Sequence, residues 1–210
     1  VKYFDYALEN AVNAGDTIVI AGAYRAFGAV SDIKGDYEEA ISHFKKSLEI
    51  LEKTGNLYEI ARGYNDLGIS SFLKGDLDKA IEYTEKCIEI SKKSGDIMYI
   101  GYGLLNAAEA YAEKHRFEKA IEHLDKALRI FEKLDEKMMI AAVYRDYGIV
   151  YKLKKDWSRS IDSFNEAVYI YENLIKAPYY QAYTYYHFGL MLKEKGDKKE
   201  AVKYLRKALE

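Results

Sequence analysis

The sequence predicts an all-α fold, a solenoid of about eleven helices stacked as antiparallel pairs, on three observations. Small residues recur at a fixed interval: Gly28, Gly68, Ala108, Gly148 and Gly189 lie 40, 40, 40 and 41 residues apart. Twelve residues after each stands another small residue, in Ala40, Ala80, Ala120, Ser160 and Ala201. Seven further on come Ser47, Cys87, Ala127, Ala167 and Ala208, with Ala7 one period earlier. Between these columns the apolar positions keep helical spacing, as in Tyr64, Leu67, Gly68 and Ser71, then Ala80, Ile81, Thr84, Cys87 and Ile88. A fixed period of roughly 20–50 residues marks a stacked-repeat architecture. The lack of any strand pattern excludes a β-propeller of similar period.

Taken in order, the helices are expected at 2–14, 18–34, 37–53, 57–73, 77–93, 97–113, 117–133, 137–153, 157–174, 178–195 and 198–209. Gly15-Asp16, Gly55-Asn56 and Gly95-Asp96 separate repeats, while Gly35-Asp36, Gly75-Asp76 and Gly196-Asp197 separate the two helices of a repeat. Glycine tolerates the left-handed turn that ends a helix, and an Asp or Asn side chain accepts from the free NH groups that begin the next. Asp36 with Glu39, Asn56 with Glu59 and Asp197 with Glu200 have capping-box spacing. Pro178 falls in a first helical turn, where a missing NH costs nothing. The chain thus reads as one repeat domain, 1–210, with repeats at 16–55, 56–95, 96–135, 136–176 and 177–210, the last incomplete, after the second helix of a preceding repeat at 1–15.

Glycine inside a helix costs roughly 1 kcal/mol relative to alanine, so Gly28, Gly68, Gly148 and Gly189 imply close helix packing as compensation. Phe27, Leu67, Tyr147 and Phe188, with Ile41, Ile81, Ile121, Ile161 and Val202, are expected to fill the seams. Val1 falls within a second helix and Glu210 ends one, so a module excised from a longer chain is expected. Leu205 and Leu209 are then left partly uncovered, ready for a continuation or for end-to-end self-association.

Composition removes whole classes. With 49% apolar residues in 210, disorder is excluded. Cys87 is alone, so no intramolecular disulfide forms, and a reducing, cytoplasmic address is expected. Apolar runs such as 97–105 are far shorter than the roughly 18 residues of a membrane span. A net charge of −2, from 32 Lys plus Arg against 34 Asp plus Glu, argues against non-specific nucleic-acid binding. Abundant Lys and Glu beside the lone Gln181 point to a thermophilic prokaryote.

The three columns resemble the tetratricopeptide repeat across the whole chain. That family pairs a small residue in the first helix with Ala twelve positions later, an aromatic four before it and another Ala seven beyond. Tyr24, Tyr64, Tyr144 and Tyr185 supply the aromatic here, and Leu104 replaces it in the third repeat. The 40-residue period exceeds the usual one of about 34. It is similar to the long-repeat subclass of G-protein-signalling modulator scaffolds, kinesin light chains and bacterial peptide-pheromone receptors. HEAT and armadillo repeats share the period but would not give the Gly–Ala spacing of twelve. The resemblance implies a right-handed superhelix of helix pairs and a non-enzymatic scaffold whose concave groove binds a peptide or partner segment. The alternative is a peptide-responsive sensory module of a larger transcription or signalling regulator.

No catalytic, cofactor or metal set emerges. His115, Arg116 and His123 lack HExxH spacing, Gly101-Tyr102-Gly103 lacks the third glycine of a dinucleotide loop, and Ser31-x-x-Lys34 has no companion motif. His43 and His123 share a column two repeats apart, too distant to share a metal, and Cys87 reads as a buried packing thiol. The informative positions are those roughly 130° around each first helix from its packing side. They include Arg25, Asp32, Arg62, Asn65, Ile69, Phe72, Tyr102, Leu105, Glu109, Arg145, Ile149, Lys152, Tyr183, Tyr186, Leu190 and Lys193, with Asp66, Asn106, Asp146 and His187 at the edge. Arg and Tyr there, where solvated faces favour Lys and Glu, mark a partner-binding groove. Chaperone adaptors of the family hold a C-terminal carboxylate with Lys and Asn from consecutive first helices. Arg25 could replace the first cation, but Ala29 and Tyr102 supply no matching donor and Asp66 would repel the carboxylate. In the long-repeat scaffolds groove Asn and Arg hold an extended peptide; Asn106 and Arg62 match those positions, while Asp66 and Asp146 replace Asn elsewhere.

Overall fold

The computed structural model describes residues 15–210, so the helix expected at 2–14 lies outside the described residues. Among the described residues there are ten α-helices and no strand. They are α1 (Thr17–Lys34), α2 (Tyr37–Thr54), α3 (Leu57–Lys74), α4 (Leu77–Ser94), α5 (Ile97–Glu113), α6 (Phe117–Lys133), α7 (Lys137–Leu153), α8 (Trp157–Asn173), α9 (Pro178–Lys195) and α10 (Lys198–Lys207). Every end falls within two residues of the expected one. The helices gather into two compact units, one running to Ala110 and the other from Tyr111 to Glu210, with the division inside α5.

In the first unit α1 pairs with α2 and α3 with α4, while α2 also packs against α3. The seam between repeats is filled by Ala21, Ala40, Phe44, Leu48, Leu51, Ile60 and Leu67, with Ile41 and Tyr64 half-buried against them. In the second unit α7 pairs with α8 and α9 with α10, and α9 also packs on α8. Its seam holds Phe164, Val168, Tyr185, Phe188, Met191 and Leu192, and the Phe164 ring stacks on Phe188 with centroids 5.1 Å apart.

The glycine column has a specific occupant. A Cβ built on Gly28 would lie 2.7 Å from the Phe44 ring, one on Gly68 2.7 Å from Thr84 Cγ2, one on Gly148 2.7 Å from the Phe164 ring, and one on Gly189 2.7 Å from Leu205 Cγ. Each is the side chain sixteen positions on, from the second helix of the same repeat, entering the notch that the missing Cβ leaves. Gly103, outside the column, is equally confined: a Cβ built on it would lie 2.7 Å from Ile88 Cγ1 and 3.2 Å from the Thr84 carbonyl oxygen. Ser160, the polar member of the alanine column, donates to the Gly148 carbonyl at 2.7 Å, so its hydroxyl is buried without loss.

The caps follow the sequence in part. Gly35, Gly55, Gly75, Gly95 and Gly196 adopt positive φ as expected, but His115, Asp135 and Lys155 hold the same left-handed turn without glycine, at φ 55°, 55° and 59°. Asn56 and Asp197 accept from the amides of Glu59 and Glu200. Asp36 departs from its expected capping box. It makes no side-chain cap bond, and Glu39 accepts instead from the Ser31 hydroxyl at 3.1 Å. The aromatic column ties a first helix back to the preceding second helix: Tyr64 donates to Glu52 at 3.0 Å, and Tyr185 donates to Glu172.

Candidate partner-binding face

With the small columns turned toward the second helices, each first helix leaves its opposite side free of them. In the first unit this face is polar at one end and aliphatic at the other. Arg25 on α1 donates from Nε to Asp66 on α3 at 2.7 Å and lies 3.5 Å from Glu59, whose other oxygen accepts from Arg62 at 2.8 Å. Asn106 on α5 donates to Asn65 on α3 at 2.8 Å. Both cross-links join residues 41 apart, so successive first helices are bonded to each other along this face. Burial pushes the Asp66 carboxyl up, against the pull of Arg25.

Toward the C-terminal ends of α1 and α3 the face turns apolar. A groove there is lined by Ala29, Asp32, Ile33, Phe44, Asp66, Ile69 and Leu73. Ile33 is 87% exposed, Leu73 46% and Ile69 37%, an unusual amount of aliphatic surface to leave in water. On its α1 wall, Asp32 accepts from the Ser70 hydroxyl at 2.7 Å, and its second oxygen is buried without a partner. Burial also pushes the Asp32 carboxyl up.

In the second unit the equivalent face is aromatic and its charges are internal. Arg145 and Asp146 are both buried and joined from Nε to Oδ1 at 2.7 Å, and the guanidinium lies 5.1 Å from the Tyr183 ring. The Tyr183 ring meets His187 edge-on at 4.4 Å. Burial first, then Arg145 and Lys152, push the His187 imidazole down to about 4, so it is neutral at neutral pH. Tyr171 is buried with its hydroxyl unpartnered, and burial pushes its phenol up to about 12. Tyr179, Tyr180, Tyr183 and Tyr186 all remain exposed on α9.

The residues expected to line an open groove therefore divide. Ile69, Tyr183, Tyr186 and Lys193 are exposed, and Arg25, Arg62, Tyr102, Asn106, Glu109 and Ile149 are half-buried. Asn65, Leu105 and Arg145 depart from the expected exposure and are buried; Asn65 is bonded to Asn106 of the next first helix, and Arg145 to Asp146 beside the Tyr183 ring. Ile33 and Leu73 are the additions. Apolar side chains in a last helical turn, directly before Lys34 and Lys74, were the available signal. Cys87 is fully buried and burial pushes its thiol up to about 12, which makes it inert as a nucleophile. Among the described residues, no group of three or more His, Cys, Asp or Glu could hold a metal, and no helix is long and apolar enough to cross a membrane.

Helix pairs of a 40-residue period, seated through glycine and alanine notches, define a helical-repeat protein. A tetratricopeptide repeat family model matches residues 19–93, 100–173 and 140–210, and the chain belongs to that family. Its fold is similar to that of BtubC (BKLC) from P. vanneervenii, with a TM-score of 0.79 and 22% identity over 99% of this chain and 87% of that one. It is also similar to a Rap protein complexed with competence and sporulation factor, with a TM-score of 0.82 and 20% identity over 91% of this chain and 53% of that one. A third likeness is to a signal-transduction ATPase with numerous domains and a tetratricopeptide repeat sensor from Pyrococcus horikoshii, with a TM-score of 0.73 and 20% identity. It covers 99% of this chain and 32% of that one. The chain thus spans about half of the Rap protein and a third of the ATPase. At these identities the likeness is one of fold. No curated protein matches the sequence.

Proposed function

We propose that the chain is a non-enzymatic, cytoplasmic interaction module that holds an extended segment of a partner protein against the first-helix face of its N-terminal unit. The observation that carries this reading is the groove between α1 and α3, where Ile33, Ile69 and Leu73 stand in solvent above the Phe44 ring. Exposed aliphatic side chains around a concavity gain most from a partner that removes them from water, at about 25 cal/mol per Å². The polar end, with Arg25, Arg62 and Asn106, supplies directional hydrogen-bonding groups for a peptide backbone.

The combined variant Ile33→Ser, Ile69→Ser and Leu73→Ser tests it. Proteins retained by the wild-type chain on an affinity column and identified by mass spectrometry should be lost, while helicity and melting change little. Solvent-facing substitutions usually stay within about 0.5 kcal/mol. Unchanged retention would remove the groove from consideration, and unfolding of the variant would show those side chains to be core.

A sensory role is a second reading, favoured by the fold shared with a Rap protein complexed with competence and sporulation factor and with a repeat sensor of an ATPase. Uptake of a peptide by the first unit would then also alter side-chain environments in the second, whereas a passive scaffold would leave them as they are.

A further inference from the structure

We propose that the α1–α3 groove of the first unit selects a segment in which a Lys or Arg lies between two apolar residues, the cation meeting Asp32 and its neighbours covering Ile69 and Leu73. This rests on the groove reading above and adds the chemistry of the occupant. The charges along the face are unequal. Glu59 and Asp66 share the guanidiniums of Arg25 and Arg62, and these four groups neutralise one another. Asp32 is left over. Its hydrogen bond comes from the neutral Ser70 hydroxyl, and its other oxygen is buried without a partner. A carboxylate held so, beside aliphatic surface where the effective dielectric is low, is unfavourable until a cationic donor reaches it.

The spacing of the opposite wall fits an extended chain. Ile69 and Leu73 are four residues apart on α3, about 6 Å along the helix axis. Alternate side chains of an extended peptide are about 6.6 Å apart and point the same way, while the residue between them points to the other side. Two apolar side chains therefore reach the α3 wall and the intervening one reaches the α1 wall, where Asp32 stands and Ile33 can cover an aliphatic stem.

Four capped synthetic heptapeptides test this against the full chain by isothermal titration: one with a central Leu-Lys-Leu in a Gly/Ser frame, and versions with norleucine for Lys, Glu for Lys, or Ser for both Leu. The lysine peptide should bind about tenfold or more tighter than the norleucine peptide, and the Glu and Ser versions should be weaker than the lysine peptide. Asp32→Asn should erase the preference for lysine over norleucine without lowering the melting temperature. Equal binding of the lysine and norleucine peptides, or a preference that survives Asp32→Asn, overturns the selectivity while leaving the groove as a peptide site. Uptake of the Ser version as tight as that of the Leu version overturns the apolar flanks, and no uptake of any peptide overturns both the selectivity and the groove reading.

Discussion

Replacement of Arg145 by leucine should cost about 3–5 kcal/mol of stability near neutral pH, because breaking a buried ion pair strands the remaining charge. Arg145 and Asp146 are 7% and 2% exposed, and the second Asp146 oxygen already lacks a partner. Burial holds the Asp146 carboxyl above its ordinary value, and the attraction of Arg145 opposes that rise. Without the guanidinium the carboxyl rises further. A carboxyl whose pKa is higher folded than unfolded stabilises the fold fully below its unfolded value, near 3.9, and that stabilisation is lost as pH rises through the folded value. The deficit of the Arg145→Leu variant should therefore be larger at pH 8 than at pH 5, as read from urea midpoints. Adding Asp146→Leu should recover most of it. A single variant as stable as the wild type at pH 8 would show that the pair does not hold the α7 face together. Although Arg145 sits at a position where the sequence pattern suggests partner contact, its principal effect is expected on folding.

Phe164→Ala should cost a similar amount, about 3–5 kcal/mol, since the ring is fully buried and stacked on Phe188. Its interest lies in the coupling to Gly148. The reverse change, Gly148→Ala, places a methyl 2.7 Å from the same ring and should cost about 1–3 kcal/mol by overpacking. Combined in one chain, the methyl enters space the ring has vacated, so the double variant should be less destabilised than the sum of the two. Residues in contact couple by about 0.5–3 kcal/mol, which equilibrium denaturation resolves. Strict additivity would mean that the glycine column does not exist to admit the side chain sixteen positions on.

Columns of small residues are visible because larger side chains do not fit: a Cβ on Gly28, Gly68, Gly148 or Gly189 would come within 2.7 Å of a neighbour, so spacing alone locates the helices and their pairing. Helix ends are marked directly where glycine takes the left-handed turn; where His115, Asp135 and Lys155 take it instead, the repeat period alone places the ends, at Glu113, Lys133 and Leu153 as expected. Gly103 is hidden for a different reason, since its close contact is with Ile88 of the preceding repeat and follows no column within its own. The site is less legible than the fold. Angles around one helix place Arg25, Asn65 and Arg145 on a common face, but they carry no information on how near the next helix comes. The cross-links from Arg25 to Asp66 and from Asn65 to Asn106 depend on that distance. Glu59, read as part of a cap, spends its carboxylate on Arg25 and Arg62 instead.

Methyl-resolved NMR of the full chain during titration with the Leu-Lys-Leu peptide tests the first-helix face most directly. The Ile33, Ile69 and Leu73 methyl signals should move together and saturate at one equivalent, while those of Ile41 and Ile81 on the second helices stay in place. Saturable movement confined to the second helices, or none at any methyl, would contradict the assignment of partner binding to the first-helix face.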